Sequence, residues 1–158
     1  MIQRGKPSQP IEFGHKVLVA QTGEKFIHHY RVMPHRIEDR DLLEPAVEAH
    51  KELFGRYPDL LSTDKGFYES MKQLVQLEDK IATVSIAKKG RRTPAEYDRE
   101  TSEAFLAGQR FRAGSEGSIS VLKRAFKLGR CLFQGFKHYA ASVGLAVLCH
   151  NLVLLTRL

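Results

Sequence analysis

The chain has 158 residues, enough for one compact domain with a core, and its apolar fraction of 42% fits a globular protein rather than a disordered or fibrous one. Lysine and arginine outnumber aspartate and glutamate by 25 to 18, a net charge of +7 that favours a polyanionic partner such as nucleic acid or an anionic membrane surface. Cys131 and Cys149, without CxxC spacing, indicate neither a disulfide framework nor a zinc knuckle and read as buried thiols in a reducing cytoplasm.

The basic residues Arg4 and Lys6 are not followed by an apolar stretch, so a secretory signal is not expected. Residues 1–14, with Gly5, Pro7 and Pro10, read as an extended arm. His15 to Ala20 predicts a strand, Gln21 to Glu24 a turn, and Phe26 to Val32 a second strand that Pro34 ends, together a hairpin. From Asp39 to Phe54 the apolar residues recur at helical spacing, with acids early and Lys51 late, as the helix dipole favours. Gly55 and Pro58 close that helix. A short strand over Leu60 to Thr63 then delivers Asp64 into a Lys65-Gly66 turn, a helix follows over Tyr68 to Lys80, and Ala82 to Ala87 alternates as a half-buried strand does. After the basic loop Lys88-Lys89-Gly90-Arg91-Arg92, the sequence from Pro94 onward is helical, with breaks expected at Gly114, at Gly117 and over 129–135. Tyr139 to Leu155 is apolar but holds His150 and Asn151 and falls short of the roughly 20 apolar residues of a comfortable span, so a buried core helix is expected and no membrane partner. The order gives an α/β or α+β class: one domain over 1–158, with an arm at 1–14, a strand and helix core at 15–93 and C-terminal helices at 94–158.

Between Phe105 and Leu158 a single acid, Glu116, stands against eight bases: Arg110, Arg112, Lys123, Arg124, Lys127, Arg130, Lys137 and Arg157. If the helix is unbroken, Arg112, Glu116 and Lys123 share one face. On spacing alone the better reading is an exposed Arg112–Glu116 ion pair, which contributes a few tenths of a kcal/mol. The other reading is functional: bases hold phosphate oxygens while the carboxylate holds a divalent cation. Gly114 and Gly117 weaken a helix, and close approach of a backbone or ligand would explain them. Asp64 suits turn chemistry, yet it also lies beyond the carboxyl end of a strand, where ligands of α/β sheets bind, and could meet Glu116 there. His15, His28, His29 and His35 match no zinc spacing; Ser118 and Ser120 lack a base with an orienting acid; Phe126, Phe133, Phe136 and Tyr139 read as core.

Arg112-x3-Glu116-x6-Lys123 resembles the signature around the third acid of DDE transposases of bacterial insertion sequences, Tyr-x2-Arg-x3-Glu-x6-Lys, with Gln109 at the tyrosine position. Thr63-Asp64-Lys65-Gly66-Phe67 resembles the second-acid motif, and Arg4-Gly5-Lys6-Pro7 through Glu12-Phe13-Gly14-His15-Lys16 the stretch after the first strand in ISNCY-like members. The basic loop and the closing His150-Asn151-Leu152 extend the resemblance over nearly the whole chain.

The resemblance implies a partial RNase H-like fold, with a mixed sheet of about four strands, flanking helices and a helical C-terminus. It implies Asp64 and Glu116 as catalytic, Mg²⁺-binding carboxylates, with Mg²⁺ as cofactor. The DNA contacts expected with it are Lys65, Lys88, Lys89, Arg91, Arg92, Arg110, Arg112, Lys123 and Arg124. The implied reaction is DNA strand cleavage and transfer at insertion-sequence ends, in a homo-oligomeric transposition complex of the bacterial cytoplasm and nucleoid. The family's first aspartate precedes the Arg-Gly-Lys-Pro stretch and no residue here matches it; Asp39 and Asp41 open a helix, and Asp59 lies before the strand carrying Asp64. A truncated catalytic domain, inactive alone, is therefore expected, with a non-catalytic DNA-binding or assembly remnant as the alternative.

Overall fold

A computed structural model describes residues 15–129, 132 and 134–158, together with the backbone of 2–3 and 11–12. The reading of 4–10 as an extended arm, the Phe13-Gly14 part of the family stretch, Arg130, and the expected burial of Cys131 and Phe133 lie outside these residues. The ends of the N-terminal stretch are not simply an arm: β1 (Ile2–Gln3) pairs antiparallel with β2 (Ile11–Glu12).

The hairpin forms from β3 (Val17–Gln21) and β4 (Ile27–Val32), antiparallel from Val17 opposite Val32 to Gln21 opposite Ile27, with a shift of register between Ala20 and Gln21. Its turn is closed by the Thr22 N–H donating to the Phe26 carbonyl at 2.8 Å. Helix α1 (Arg40–Phe54) ends where Gly55 adopts φ 72°, a left-handed conformation that glycine takes without a Cβ penalty, and its N–H donates to the Lys51 carbonyl. The parallel strands β5 (Leu60–Ser62) and β6 (Thr83–Ser85) are connected through a 3-10 turn at Lys65–Phe67 and helix α2 (Met71–Glu78), making a short crossover unit. Helix α3 (Pro94–Thr101) starts with a capping box in which Thr93 and Glu96 satisfy each other's backbone N–H, and Pro94 stands where a helix needs no donor. Helices α4 (Glu103–Arg124) and α5 (Phe136–Leu155) complete a mixed α and β fold.

The strands do not make the expected mixed sheet of about four. They form three separate two-stranded ladders, because β3 is bonded only to β4, β5 only to β6, and no described strand joins the hairpin to the parallel pair. Burial is divided accordingly. One core gathers Leu43 and Val47 of α1, Leu74 and Leu77 of α2, Ile81, Val84 and Ile86; the other joins Ile27 of the hairpin to Leu122 of α4 and Ala146 and Val147 of α5, with Val19, Phe126 and Leu128 packed against it. Phe136 and Tyr139 lie half-buried around the His15 ring, at centroid distances of 5.0 and 5.5 Å.

Two expectations about the C-terminal helices change. Helix α4 runs through Gly114 and Gly117 without a break, and a Cβ on either would meet nothing within 4 Å, so no described backbone approaches them. The glycine that packing requires is Gly108, where a Cβ would stand 2.5 Å from the Ser85 Cβ and 3.3 Å from a Leu60 methyl. Helix α5 is a core helix on one side only. Val143, Ala146, Val147 and His150 are buried, whereas Leu145, Leu148, Leu152 and Leu155 are 50 to 62% exposed. Cys149 is half-buried. By length and composition α5 is also the one described helix that meets the requirement for crossing a membrane, which for a single helix is weak evidence. Its inner face is fixed by polar bonds: the Asn151 amide accepts from the Ile27 N–H at 3.0 Å and donates to the Ile27 carbonyl at 2.9 Å, and the His150 Nε2 lies 3.1 Å from the Lys25 carbonyl.

The glycines of α4 give substitutions of opposite sign. Gly114→Ala and Gly117→Ala should each stabilise the protein by up to about 1 kcal/mol in urea unfolding, since helix propensity improves and no atom is displaced. Gly108→Ala should destabilise it, because overpacking of about 1–3 kcal/mol outweighs the same gain in propensity. Between β4 and α1, His28 lies against His50 and Phe54, with ring centroids 4.9 and 5.4 Å away, and its buried Nδ1 has no partner among the described residues. Burial first, and then the neighbouring His50 and His29, lower its pKa to about 4. Below pH 6.5 the unfolded chain therefore binds a proton that the folded chain refuses, so stability should decline as pH falls from 6.5 toward 4. Melting temperatures across that range should fall less steeply for His28→Phe.

Candidate functional site

The two sequence motifs fall on the crossover unit and on the helix laid against it. Asp64 follows β5 directly and caps the 3-10 turn: its backbone is extended, and its Oδ1 accepts from the Gly66 N–H at 2.5 Å. That bond leaves the carboxylate exposed at the carboxyl end of the parallel pair. Gly66 has little room for a side chain, because the point where a Cβ would sit is 2.6 Å from Asp64 Oδ1 and 2.8 Å from Asp39 Oδ2. The sequence motif of an aspartate, one residue and a glycine thus has a steric basis in this turn.

Asp39 is a participant that sequence reasoning set aside as a helix opener. It does stand at the N-cap of α1, but its side chain makes no cap hydrogen bond. Its carboxylate instead pairs with Lys16 Nζ at 2.5 Å and reaches the Gly66 turn, while Lys16 also donates to the Ile37 carbonyl at 2.7 Å. The junction links the base of the hairpin, the start of α1 and the Asp64 turn. No local pattern announces it, since Lys16, Asp39 and Gly66 are far apart in sequence. With an ammonium on one oxygen and the turn against the other, Asp39 is a structural anion rather than a free ligand.

Glu116 is reached from the same strands by a rail of side-chain hydrogen bonds along α4. The Gln109 Nε2 donates to the Ser85 carbonyl at 2.7 Å and lies 3.0 Å from the Ser85 Oγ; its Oε1 accepts from Arg112 Nε at 3.3 Å; and the Arg112 guanidinium donates to Glu116 Oε1 at 3.2 Å. Gln109 therefore links Ser85 of β6 to Arg112 through both ends of its amide. The ion pair expected at i, i+4 is present, and Glu116 at 69% exposure remains mostly in water, so the pair contributes little to stability. Asp64 turns to Gly66 and Glu116 to Arg112. Among the described residues no group of three or more His, Cys, Asp or Glu forms a site for a metal ion. Ser118, two residues after Glu116, is buried with no partner for its hydroxyl among the described residues.

The expected DNA contacts divide into two sets. In the basic loop, Lys88 Nζ pairs with Glu96 at 2.7 Å, Arg92 Nε pairs with Glu100 at 2.5 Å, and the Lys88 N–H donates to Glu100, so α3 folds its acids back onto the loop. Lys88, mostly buried in this pair, lowers the pKa of Glu96 through its hydrogen bond. Lys89 bends to the Gly66 carbonyl at 3.3 Å, which brings this loop to the Asp64 turn. Arg91, Lys65, Arg110, Lys123 and Arg124 are exposed, and Arg112 is half-buried on the rail.

Replacing Gln109 tests the rail. Gln109→Leu removes three side-chain hydrogen bonds, each with a net contribution of about 0.5–1.5 kcal/mol, and should free the Arg112 side chain. The measurement is the Arg112 Nε–H heteronuclear NOE, expected to drop toward the values of exposed arginines while Gln109→Glu retains part of the order; an unchanged NOE in Gln109→Leu would show that the rail does not hold Arg112. In comparisons with protein-family models, curated proteins and solved structures, nothing matched the chain.

Proposed function

We propose that the chain is the C-terminal part of a DDE-type transposase catalytic domain, a DNA strand cleavage and transfer enzyme acting at insertion-sequence ends. The observation that carries this reading is the placement of Asp64 at the carboxyl end of β5 together with the rail that ties Arg112 and Glu116 on α4 to the adjacent β6. Parallel strands deliver side chains to a site beyond their carboxyl ends, which is where a phosphodiester and its metal ions would be held.

The donor chemistry suits Mg²⁺ in part. Asp64 Oδ2 and Glu116 Oε2 are hard oxygen donors without a hydrogen-bond partner among the described residues, where the absence of a three-acid group also leaves the set short of one carboxylate. Bound there, the metal would supply activation of a water or 3′-hydroxyl and stabilisation of the leaving oxygen. Arg112 orients Glu116, while Arg110, Lys123, Arg124 and Lys65 provide phosphate contacts that carry no sequence information. The third carboxylate is assigned to a further strand. β3 and β5 each have one edge without a strand partner among the described residues, and a strand joining them would make one RNase H-like mixed sheet from the hairpin and the parallel pair. The working form is a homo-oligomeric transposition complex in the bacterial cytoplasm. A non-catalytic DNA-binding or assembly remnant would use the same basic surface without the carboxylates.

With one metal ligand lacking, the purified chain should bind duplex DNA without sequence preference, with log affinity falling linearly as log salt rises. It should not nick supercoiled DNA in Mg²⁺. Robust Mg²⁺-dependent nicking that Glu116→Gln abolishes would overturn the incomplete-site assignment, and DNA binding unaffected by salt would remove the nucleic-acid reading altogether.

A further inference from the structure

Two imidazoles lie together where the hairpin runs beside α1. His28 stands on β4, whose Ile27 belongs to the second core, and His50 on α1, whose Leu43 and Val47 belong to the first. Their ring centroids are 4.9 Å apart with planes at 82°, and Phe54, one turn after His50, lies 4.6 Å from His50 and 5.4 Å from His28. Ring packing accounts for the apolar contact but leaves one polar atom unexplained. The Nδ1 of His28 is buried and has no partner among the described residues. Elsewhere the fold gives an imidazole a carbonyl: His15 has that of Met33 at 3.1 Å, His138 that of Gln134 at 2.8 Å and His150 that of Lys25 at 3.1 Å. A buried ring nitrogen without such a partner asks for a water or an ion.

We propose that His28 and His50 are the two protein ligands of a divalent transition-metal ion of the Zn²⁺, Ni²⁺ and Cu²⁺ class, a clasp between the hairpin and α1. Imidazole suits these ions, whereas Mg²⁺ takes oxygen donors. With a metal–nitrogen bond of about 2.0–2.1 Å, each ring centroid lies about 3.2 Å from the ion, so two imidazoles at roughly 90–110° around it have centroids about 4.5–5.2 Å apart. The 4.9 Å between His28 and His50 falls within that span. His50 is half-buried and Phe54 is 46% exposed, so an ion reaches the pair from solvent, and waters complete its coordination. Two protein ligands make an exchangeable site, weaker than the four-ligand structural kind. No backbone ladder among the described strands joins the hairpin to the parallel pair, so a bridge from β4 to α1 would add a bond between the two cores, and its binding free energy would appear as folding stability. The clasp shares no residue with Asp64 and Glu116 and stands whether or not the protein acts on DNA.

Zn²⁺ titration of the full chain, followed by melting temperature and by the imidazole ¹⁵N resonances, tests the clasp. Zn²⁺ at about ten times its Kd should raise the melting temperature by about 3–6 °C, and Mg²⁺ at the same concentration should leave it unchanged. The ring resonances of His28 and His50 should respond together, with one ion per chain. His28→Phe and His50→Phe each keep a ring in the cluster and remove its nitrogens, so each should abolish both responses. His50 is only half-buried, so His50→Phe decides alone should His28→Phe not fold. No thermal shift at Zn²⁺ on the order of 1 mM, the range of weak binding, overturns the proposal. Zn²⁺ responses that both Phe variants retain also overturn it, by placing the ion on Cys149 or another histidine.

Discussion

The contact between Ser85 and Gly108 is the constraint on which the rest of the arrangement depends. Ser85 is fully buried at the end of β6; its hydroxyl donates to the Phe105 carbonyl at 2.8 Å, and its own carbonyl accepts from Gln109 on α4 and, at longer range, from the Thr63 N–H and Ser62 hydroxyl beside β5. A parallel pair of three-residue strands is a weak element, since such strands have few bonds and slanted geometry. Here the pair is fastened by a helix crossing it without a side chain at the point of contact. Because Gly108 lets α4 approach so closely, Gln109 reaches a strand carbonyl, and only then can Arg112 and Glu116, one and two turns further along, have defined positions relative to Asp64.

Much of this organisation was legible from sequence, but unevenly. The hairpin, α1, the β5–α2–β6 crossover and the long C-terminal helices were read in the right order because alternation, helical periodicity, Gly55 and the Pro94 boundary are local signals. Glycine roles were not legible in α4. Gly108, Gly114 and Gly117 look alike as letters, yet one sits against Ser85 and two face open space, and what separates them is a contact across more than twenty residues. Asp39 escaped for the same reason. As a letter at a helix start it reads as a cap, and only the folded chain brings Lys16 and Gly66 to its carboxylate. The division into three ladders was equally out of reach, because strand signals specify that a segment pairs and not which edges remain unpaired.

Charge follows the same distinction between composition and placement. The excess of bases over acids suggested two basic features, the loop after β6 and the face of α4. Folding treats them differently. The capping box that starts α3 also delivers Glu96 to Lys88, and Glu100 one turn later takes Arg92, so two of the four bases of the loop are paired with acids of α3 while Lys89 and Arg91 stay exposed. Helix α4 has Glu103 in its first turn and Glu116 against Arg110, Arg112, Lys123 and Arg124, and its last turn places two of those bases where the helix dipole is negative.

Helix α5 shows why hydropathy alone misassigned a surface as an interior. An apolar average records how many side chains avoid water and says nothing of how many faces of the helix the fold can cover. Asn151 and His150, the two residues that argued against a membrane span, turn out to be the ones that orient the helix, by bonding to the hairpin backbone at Ile27 and Lys25. Once those bonds fix the rotation of α5, Leu145, Leu148, Leu152 and Leu155 must point away from the core whatever their hydrophobicity. Four leucines at half exposure or more carry a standing cost in water, and the polar residues that hold the helix in place prevent it from relieving that cost by turning inward.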